Sequence, residues 1–228
     1  MTLIRDVVVI LVAGGVGSRM KASIPKQFLT LKHKPVVKYS FDLFMTLPDV
    51  AEIVVVCAPD YRHLFEPHHN EVQLTFALPG ERRQDSVNNG LQAIKSTASL
   101  VCVHDSARPC ITIPLVKRVI EAARLHGASA AGMPVKFTIK EVNGQHFVAN
   151  TPDRSFIWEI QTPQIIRKQW LQEGFAHALK HNLTVTDDVS LIELLKKPVK
   201  LVEGCYTNLK ITTPEDLIFA EQLIRPLA

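Results

Sequence analysis

No two of the four cysteines in this 228-residue chain (Cys57, Cys102, Cys110 and Cys205) stand in a C-x-x-C spacing. That absence removes zinc ribbons and disulfide frameworks, so reduced, mostly buried thiols are the expectation. No block of one charge is present either. The 26 lysines and arginines are spread along the chain against 22 acids, and a net charge of +4 argues against a dedicated nucleic-acid surface while suiting small anionic ligands. A long apolar stretch is also missing. The run over 7–12 follows Arg5 and Asp6 and is far shorter than the roughly 18 to 20 residues of a membrane span. It reads as a first buried strand, and the chain as a soluble, cytoplasmic protein. With no Pro/Gly/Ser linker, repeat or low-complexity segment, one domain over 1–228 is the economical organisation. An apolar content of 46% with 21% charged residues excludes a disordered chain.

What is present alternates between strand and helix patterns. Continuous apolar runs at 7–12, 53–57, 74–78 and 100–105 predict strands of a mostly parallel sheet covered on both faces. Helical spacing predicts helices over 35–47, through Val36, Tyr39, Leu43 and Leu47, and over 85–94. A third helix has Thr112 as cap, Pro114 in its first turn and Gly127 as its stop. Further helices are expected over 168–181, after Thr186 and Asp187, and after Thr213 and Pro214; strands are expected over 199–203 and 209–212. This is an α/β pattern, a twisted sheet with helices on both faces. Residues 137–150 break the rhythm, because Asn143-Gly144 between two alternating runs signals a β-hairpin. A hairpin inserted here protrudes, either as an edge ornament or as a dimerisation arm over 136–155.

The apolar run over 7–12 ends in "AGGVGSRM", with Lys26 close behind. No P-loop string G-x-x-x-x-G-K-[ST] occurs. The dinucleotide fingerprint fails as well, since Met20 stands where its third glycine belongs and 30–38 contains no acid to hold a ribose. A strand leading into a glycine loop with Arg19 and Lys26 nearby still suits a ligand bearing several phosphates, gripped by backbone N–H groups and two cations.

These residues, "LVAGGVGSRM" and then "PKQFL", resemble the signature of the sugar-phosphate nucleotidyltransferases, which join a phosphorylated sugar or polyol to a nucleoside triphosphate and release pyrophosphate. "GERRQDSV" (80–87), "VHDSARP" (103–109), "TIKEV" (138–142), "QTPQ" (161–164), "TDDVS" (186–190) and "NLKIT" (208–212) extend the likeness over nearly the whole chain. The ordered set is similar to the 2-C-methyl-D-erythritol 4-phosphate cytidylyltransferases of the non-mevalonate isoprenoid pathway. Ribitol-5-phosphate cytidylyltransferases share many of the same strings.

The resemblance implies a Rossmann-like nucleotidyltransferase fold, CTP as co-substrate and Mg²⁺ or another divalent cation. It implies that Arg19, Lys26 and Lys210 grip the triphosphate and that the amides from Ala13 to Gly17, including Gly14 and Gly15, cradle it. The base would lie against Gly80, Glu81 and Ser86. Asp105, at the end of a predicted strand, would serve the metal or the substrate hydroxyls. Arg108, Thr138, Arg154 and Thr186 would receive the polyol phosphate, Thr138 and Arg154 across a homodimer; Thr186 could equally cap a helix. In the family a second carboxylate often precedes the Asn-x-Lys string; here Thr207 holds that place. A regulatory protein that kept the loop and lost turnover is the reading from another class, against which Arg19, Lys26, Asp105 and Lys210 argue. The plastid stroma is the alternative location for a chain freed of a transit peptide. His177 and His181 have metal-pair spacing, but no HExxH glutamate or third ligand accompanies them, and His68-His69 reads as a loop.

Overall fold

The computed structural model describes residues 5–15, 20, 24–66 and 71–224, so Gly17, Arg19, His68 and His69 lie outside the described residues. The first half of the chain forms β1 (Val7–Val12), β2 (Thr30–Leu31), β3 (Lys34–Pro35), α1 (Val36–Met45), β4 (Val50–Val56), β5 (Gln73–Ala77), α2 (Arg83–Gln92) and β6 (Leu100–Asp105). The second half adds α3 (Ile113–His126), β7 (Ala128–Pro134), β8 (Glu141–Val142), β9 (Val148–Asn150), β10 (Trp158–Arg167), α4 (Lys168–Lys180), α5 (Ser190–Leu194), β11 (Lys200–Glu203) and α6 (Pro214–Leu223).

Seven strands make one sheet in the order β11-β7-β10-β6-β1-β4-β5. Its pairs are parallel except where β10 runs antiparallel between β6 and β7. Side-chain alternation explains why β1 is apolar throughout. Val7, Val9 and Leu11 meet Phe41 and Phe44 of α1 and Val116 and Ile120 of α3, whereas Val8 and Ile10 meet Val87 and Leu91 of α2 and Leu171 and Phe175 of α4. Each such side chain contributes about 1.5–3 kcal/mol through burial. A one-residue slip would exchange the two faces and gain nothing, so pairing with β4 and β6 sets the register.

The chain places β4 and β5 on one side of β1 and β6 on the other, so the connections diverge at β1. In an open α/β sheet such a switch point leaves a crevice beyond the carboxyl ends of the strands. Val12 and Asp105, the last residues of β1 and β6, lie opposite each other at that edge.

Several sequence expectations shift. Helix α2 starts at Arg83, two residues earlier than its apolar spacing indicated, because the Asp85 carboxylate accepts the Arg82 N–H at 3.1 Å and its guanidinium at 2.8 and 2.9 Å. Residues 209–212 were expected to be a strand and are not one. They pass beyond the end of β6, where Ile211 N–H donates to Ala107 O at 2.8 Å and the Ile211 side chain is buried in a small core with Met20, Val36 and Ala220. Strands β7 and β10 went unread: β7 is built of small residues (ASAAGMP) and β10 carries Pro163 and five polar or charged residues. Gly127 does end α3, at φ +89°, and Thr213 with Asp216 does open α6.

The hairpin forms a separate two-stranded sheet in which every residue from 140 to 151 is exposed. Its turn spans five residues. Asn143 Oδ1 accepts the N–H groups of Gln145 and Phe147, both at 3.0 Å, and His146 takes the positive φ of 63°. No helix of the described residues is long and apolar enough to cross a membrane.

Candidate active site

The glycine loop is held by a buried amide. Gln27 donates from Nε2 to Ala13 O at 2.7 Å and to Gly15 O at 2.9 Å, so those two carbonyls are turned to the protein instead of to an incoming anion. Gly14 and Gly80 have a steric reason. A Cβ on Gly14 would lie 2.5 Å from Pro79 Cβ, and one on Gly80 would lie 2.4 Å from Asp85 Cβ. A side chain at Gly14 would force apart the two loops that border the crevice, and one at Gly80 would push the second loop off the start of α2. Ser86 Oγ accepts Gly80 N–H at 3.0 Å and fixes the second loop to α2.

At the crevice floor Asp105 is nearly buried, yet both its oxygens are taken. Lys210 Nζ donates to Oδ2 at 2.6 Å and Arg83 Nε to Oδ1 at 3.0 Å. Burial alone would raise the Asp105 carboxyl, but Arg83, Lys210 and Arg108 overcome it and hold the group far below the usual carboxylate range. Arg83 also reaches both oxygens of Asp188, at 3.1 and 2.8 Å. Burial pushes Asp188 up against the pull of Arg83, and the charge of Asp105 and Asp187 adds to the push. Behind this cluster His104 is fully buried, with Nδ1 3.1 Å from Thr162 Oγ1; burial lowers it to about 3 and keeps the ring neutral.

A cleft of about 390 Å³ opens over these groups, lined by Gly14, Gly15, Lys26, Gly80, Glu81, Ser86, Asp105 and Lys210 among the residues anticipated from sequence. Ala13 is buried beneath it. Arg108 is not on its wall: it is 9% exposed and donates to Asn208 O at 2.6 Å. Thr138, Arg154 and Thr186 are exposed and do not line it, Arg154 donating to Lys136 O at 3.1 Å. Thr186 is no helix cap, because α5 begins only at Ser190, whose N–H donates to Asp187 Oδ1 at 3.1 Å. Thr207 Oγ1 lies 2.8 Å from Cys205 Sγ. Four residues went unassigned although their strings had been singled out: Gln27 in "PKQFL", Arg83 in "GERRQDSV", Gln164 in "QTPQ" and Asp188 in "TDDVS". The available signal was polarity inside an apolar context, as with Gln27 and Gln164, each 2% exposed.

For a metal the donor set is spare. No group of three or more His, Cys, Asp or Glu side chains able to hold an ion occurs among the described residues, and His177 and His181 merely approach each other, ring centroids 4.5 Å apart. Asp105, which shares the cleft wall with one other carboxylate, Glu81, nevertheless fits Mg²⁺, which commonly takes one or two carboxylates and relies on substrate phosphates. A second depression of about 560 Å³, lined by Asp6, Arg124, Arg167 and Lys168, lies at the opposite end of β6 and shares none of these groups.

Comparison with known proteins agrees with this geometry. The family model for 2-C-methyl-D-erythritol 4-phosphate cytidylyltransferase (IspD) matches residues 7–226. The chain is 51% identical over 222 residues to the chloroplastic 2-C-methyl-D-erythritol 4-phosphate cytidylyltransferase of Oryza sativa subsp. japonica, covering 96% of this chain and 75% of the rice protein. It is 39% identical over 225 residues to the enzyme of that name from Caldanaerobacter subterraneus subsp. tengcongensis, covering 96% and 99%. The crystal structure of 4-diphosphocytidyl-2C-methyl-D-erythritol synthase from Anaerococcus prevotii superposes with a TM-score of 0.84 at 28% identity, over 96% of this chain and 97% of that one. A match along almost the full length, together with a fold whose switch-point crevice gathers the signature residues, places this chain in the 2-C-methyl-D-erythritol 4-phosphate cytidylyltransferase family.

Proposed function

We propose that this chain transfers the cytidylyl group of CTP to 2-C-methyl-D-erythritol 4-phosphate, giving 4-diphosphocytidyl-2-C-methyl-D-erythritol and pyrophosphate. The observation that carries the reading is that Lys26, Asp105 and Lys210, remote in sequence, line one cleft with Gly14, Gly15 and Gly80. A phosphate oxygen of the polyol attacks the α-phosphorus of CTP. The bond from that phosphorus to the oxygen bridging to the β-phosphate breaks, and pyrophosphate leaves with the electron pair. The monoester is already ionised near pH 7, so no base must take a proton, and the obstacle is repulsion between two polyanions. Lys26 and Lys210, with Arg19 from the loop, supply the opposing charge, and the amides from Gly14 to Gly17 cradle the triphosphate; the Ala13 N–H, expected to join them, is donated to Val56 O at 2.9 Å. Gly80, Glu81 and Ser86 receive the cytosine, whose N4 amino group is a donor that a backbone carbonyl can accept. Asp105 would hold Mg²⁺, which would supply positive charge against the phosphates.

Thr138, Arg154 and Thr186 take the polyol phosphate in this scheme, and Arg108 would join them only by turning out from Asn208 O. One domain over 1–228 then works as a homodimer through the arm at 136–155. Support for the dimer comes from the arm's apolar surface: Phe137, Phe147 and Phe156 are 78%, 68% and 81% exposed, a pattern that needs covering. The deciding experiment is pyrophosphate release from CTP and Mg²⁺ with methylerythritol phosphate and ribitol 5-phosphate in parallel. Release with the first alone is expected. Release with the second alone would move the chain to the sister activity, and silence with both, CTP still binding, would favour a non-catalytic nucleotide-binding protein.

A further inference from the structure

We propose that Arg83 is a positioning residue, which keeps the polyol side of the site in register with the nucleotide side by bridging Asp105 to Asp188; this rests on the reaction proposed above. Arg83 opens α2. Its guanidinium gives one N–H to Asp105 on β6 at 3.0 Å and two to Asp188, in the turn before α5, at 3.1 and 2.8 Å. Its neighbours repeat the stitch. Arg82 Nη1 donates to Thr184 Oγ1 at 3.2 Å, Gln84 Nε2 donates to Leu183 O at 3.2 Å, and Gln84 Oε1 accepts Val185 N–H at 3.0 Å. Arg82, which caps α2, and the first two residues of the helix therefore hold the segment 183–188, which carries Thr186. From the opposite side Gln164 Oε1 accepts the N–H groups of Asp188 and Val189 at 2.9 and 3.0 Å.

Thr186 is itself exposed, so its place is set by Val185 before it and Asp188 after it. Glu81 and Ser86, on the cleft wall, flank Arg83 in sequence. The start of α2 thus serves both sides. Only a planar fork reaches two carboxylates at once; an ammonium is a point charge and would have to choose. Asp188 is 2% exposed, and without its partner it would be a buried charge lacking compensation. The turn would then shift or take up water.

The test is steady-state kinetics on Asp188→Asn, Arg83→Gln and the double variant, with each substrate varied in turn. Asp188→Asn should raise the KM for polyol phosphate about tenfold while the KM for CTP moves less than about twofold, because only the turn loosens. Arg83→Gln should raise the same KM and also lower kcat, since Asp105 is left to Lys210 alone. The double variant should show no further rise in polyol KM, the non-additivity of one shared bridge. Additive effects, a CTP KM that rises as much as the polyol KM, or an unmoved polyol KM would overturn the proposal. Should Asp188→Asn fail to fold, Arg83→Lys takes its place, with the same rise expected and wild-type KM values overturning. Amide hydrogen exchange on Arg83→Gln supplies a readout without turnover. Faster exchange at Val185, Asp188 and Val189 with β6 unchanged supports the tether, and unchanged exchange there overturns it. Wild-type silence toward both polyol phosphates would fall on the proposed function instead, and the exchange arm would still decide whether Arg83 holds the turn.

Discussion

Asp105 and Lys210 meet at 2.6 Å within a wall that includes His104, Arg83 and Asp188, whereas Thr138 and Arg154 stand beside a hairpin whose residues from 140 to 151 all face solvent. The cleft side is completed within one chain: the charges of Arg83, Asp105, Asp188 and Lys210 are paired, Gly14 and Gly80 leave no room for a Cβ, and the loop is braced by Gln27. The arm side presents large apolar residues, Phe137, Phe147, Val148 and Phe156, all exposed among the described residues. Under the proposed function, the triphosphate would be gripped by the core of the fold, while the second substrate would depend on a part that needs another surface to order it.

The largest expected effect lies on the completed side. Lys210→Ala removes a cation aimed at the cleft and should lower kcat by about a hundredfold to a thousandfold, with little change in melting temperature since Lys210 is one-third exposed. A near-normal kcat would break the comparison, because pairing with Asp105 would then be all that Lys210 does. Next comes the arm. Arg154→Ala should raise the KM for polyol phosphate about ten- to a hundredfold and leave CTP binding intact. Mixing Lys210→Ala with Arg154→Ala sharpens the point. If each arm serves the partner's site, half of a random mixture is heterodimer with one intact site in two, and about a quarter of wild-type activity returns. No recovery would mean that the arm serves its own chain.

The same division governs what could be read from the sequence. The buried strands β1, β4 and β6 declared themselves through apolar runs, over 7–12, 53–56 and 100–103, as expected of strands covered on both faces; Glu52 in β4 and His104 and Asp105 in β6 are the polar exceptions. Strands β7 and β10 did not, because Ala, Ser and Gly carry little strand signal and β10 is a polar seam through which Gln161, Thr162 and Gln164 reach the site. Lys26, Asp105 and Lys210 were legible because motif context reaches the cleft directly. Arg83 was not, since its role depends on two carboxylates, 22 and 105 residues further along, that only the fold brings together. Arg108 was legible as a cation, but its inward turn onto Asn208 could not be foreseen from spacing.

A smaller effect separates the two sides by pH. His104 lies in the completed wall, fully buried, and burial lowers it to about 3 from the usual 6.5. Between those values the unfolded chain binds a proton that the folded one refuses. Stability is therefore full above about pH 6.5 and falls as the pH drops toward 3, by about 2 kcal/mol between pH 7 and pH 5. Denaturant titration at the two pH values should find that loss in the wild type and a clearly smaller one in His104→Asn, whose amide keeps a partner for Thr162 without titrating. Asp105 contributes nothing to the difference, because Arg83, Lys210 and Arg108 hold it ionised through the whole window. If both proteins lose the same stability, the proton goes elsewhere and the wall behind Asp105 admits more water than its burial indicates. If only the wild type responds, the dryness that keeps His104 neutral is the same dryness that strengthens every charge pair at the cleft floor, and the exposed arm has no share in it.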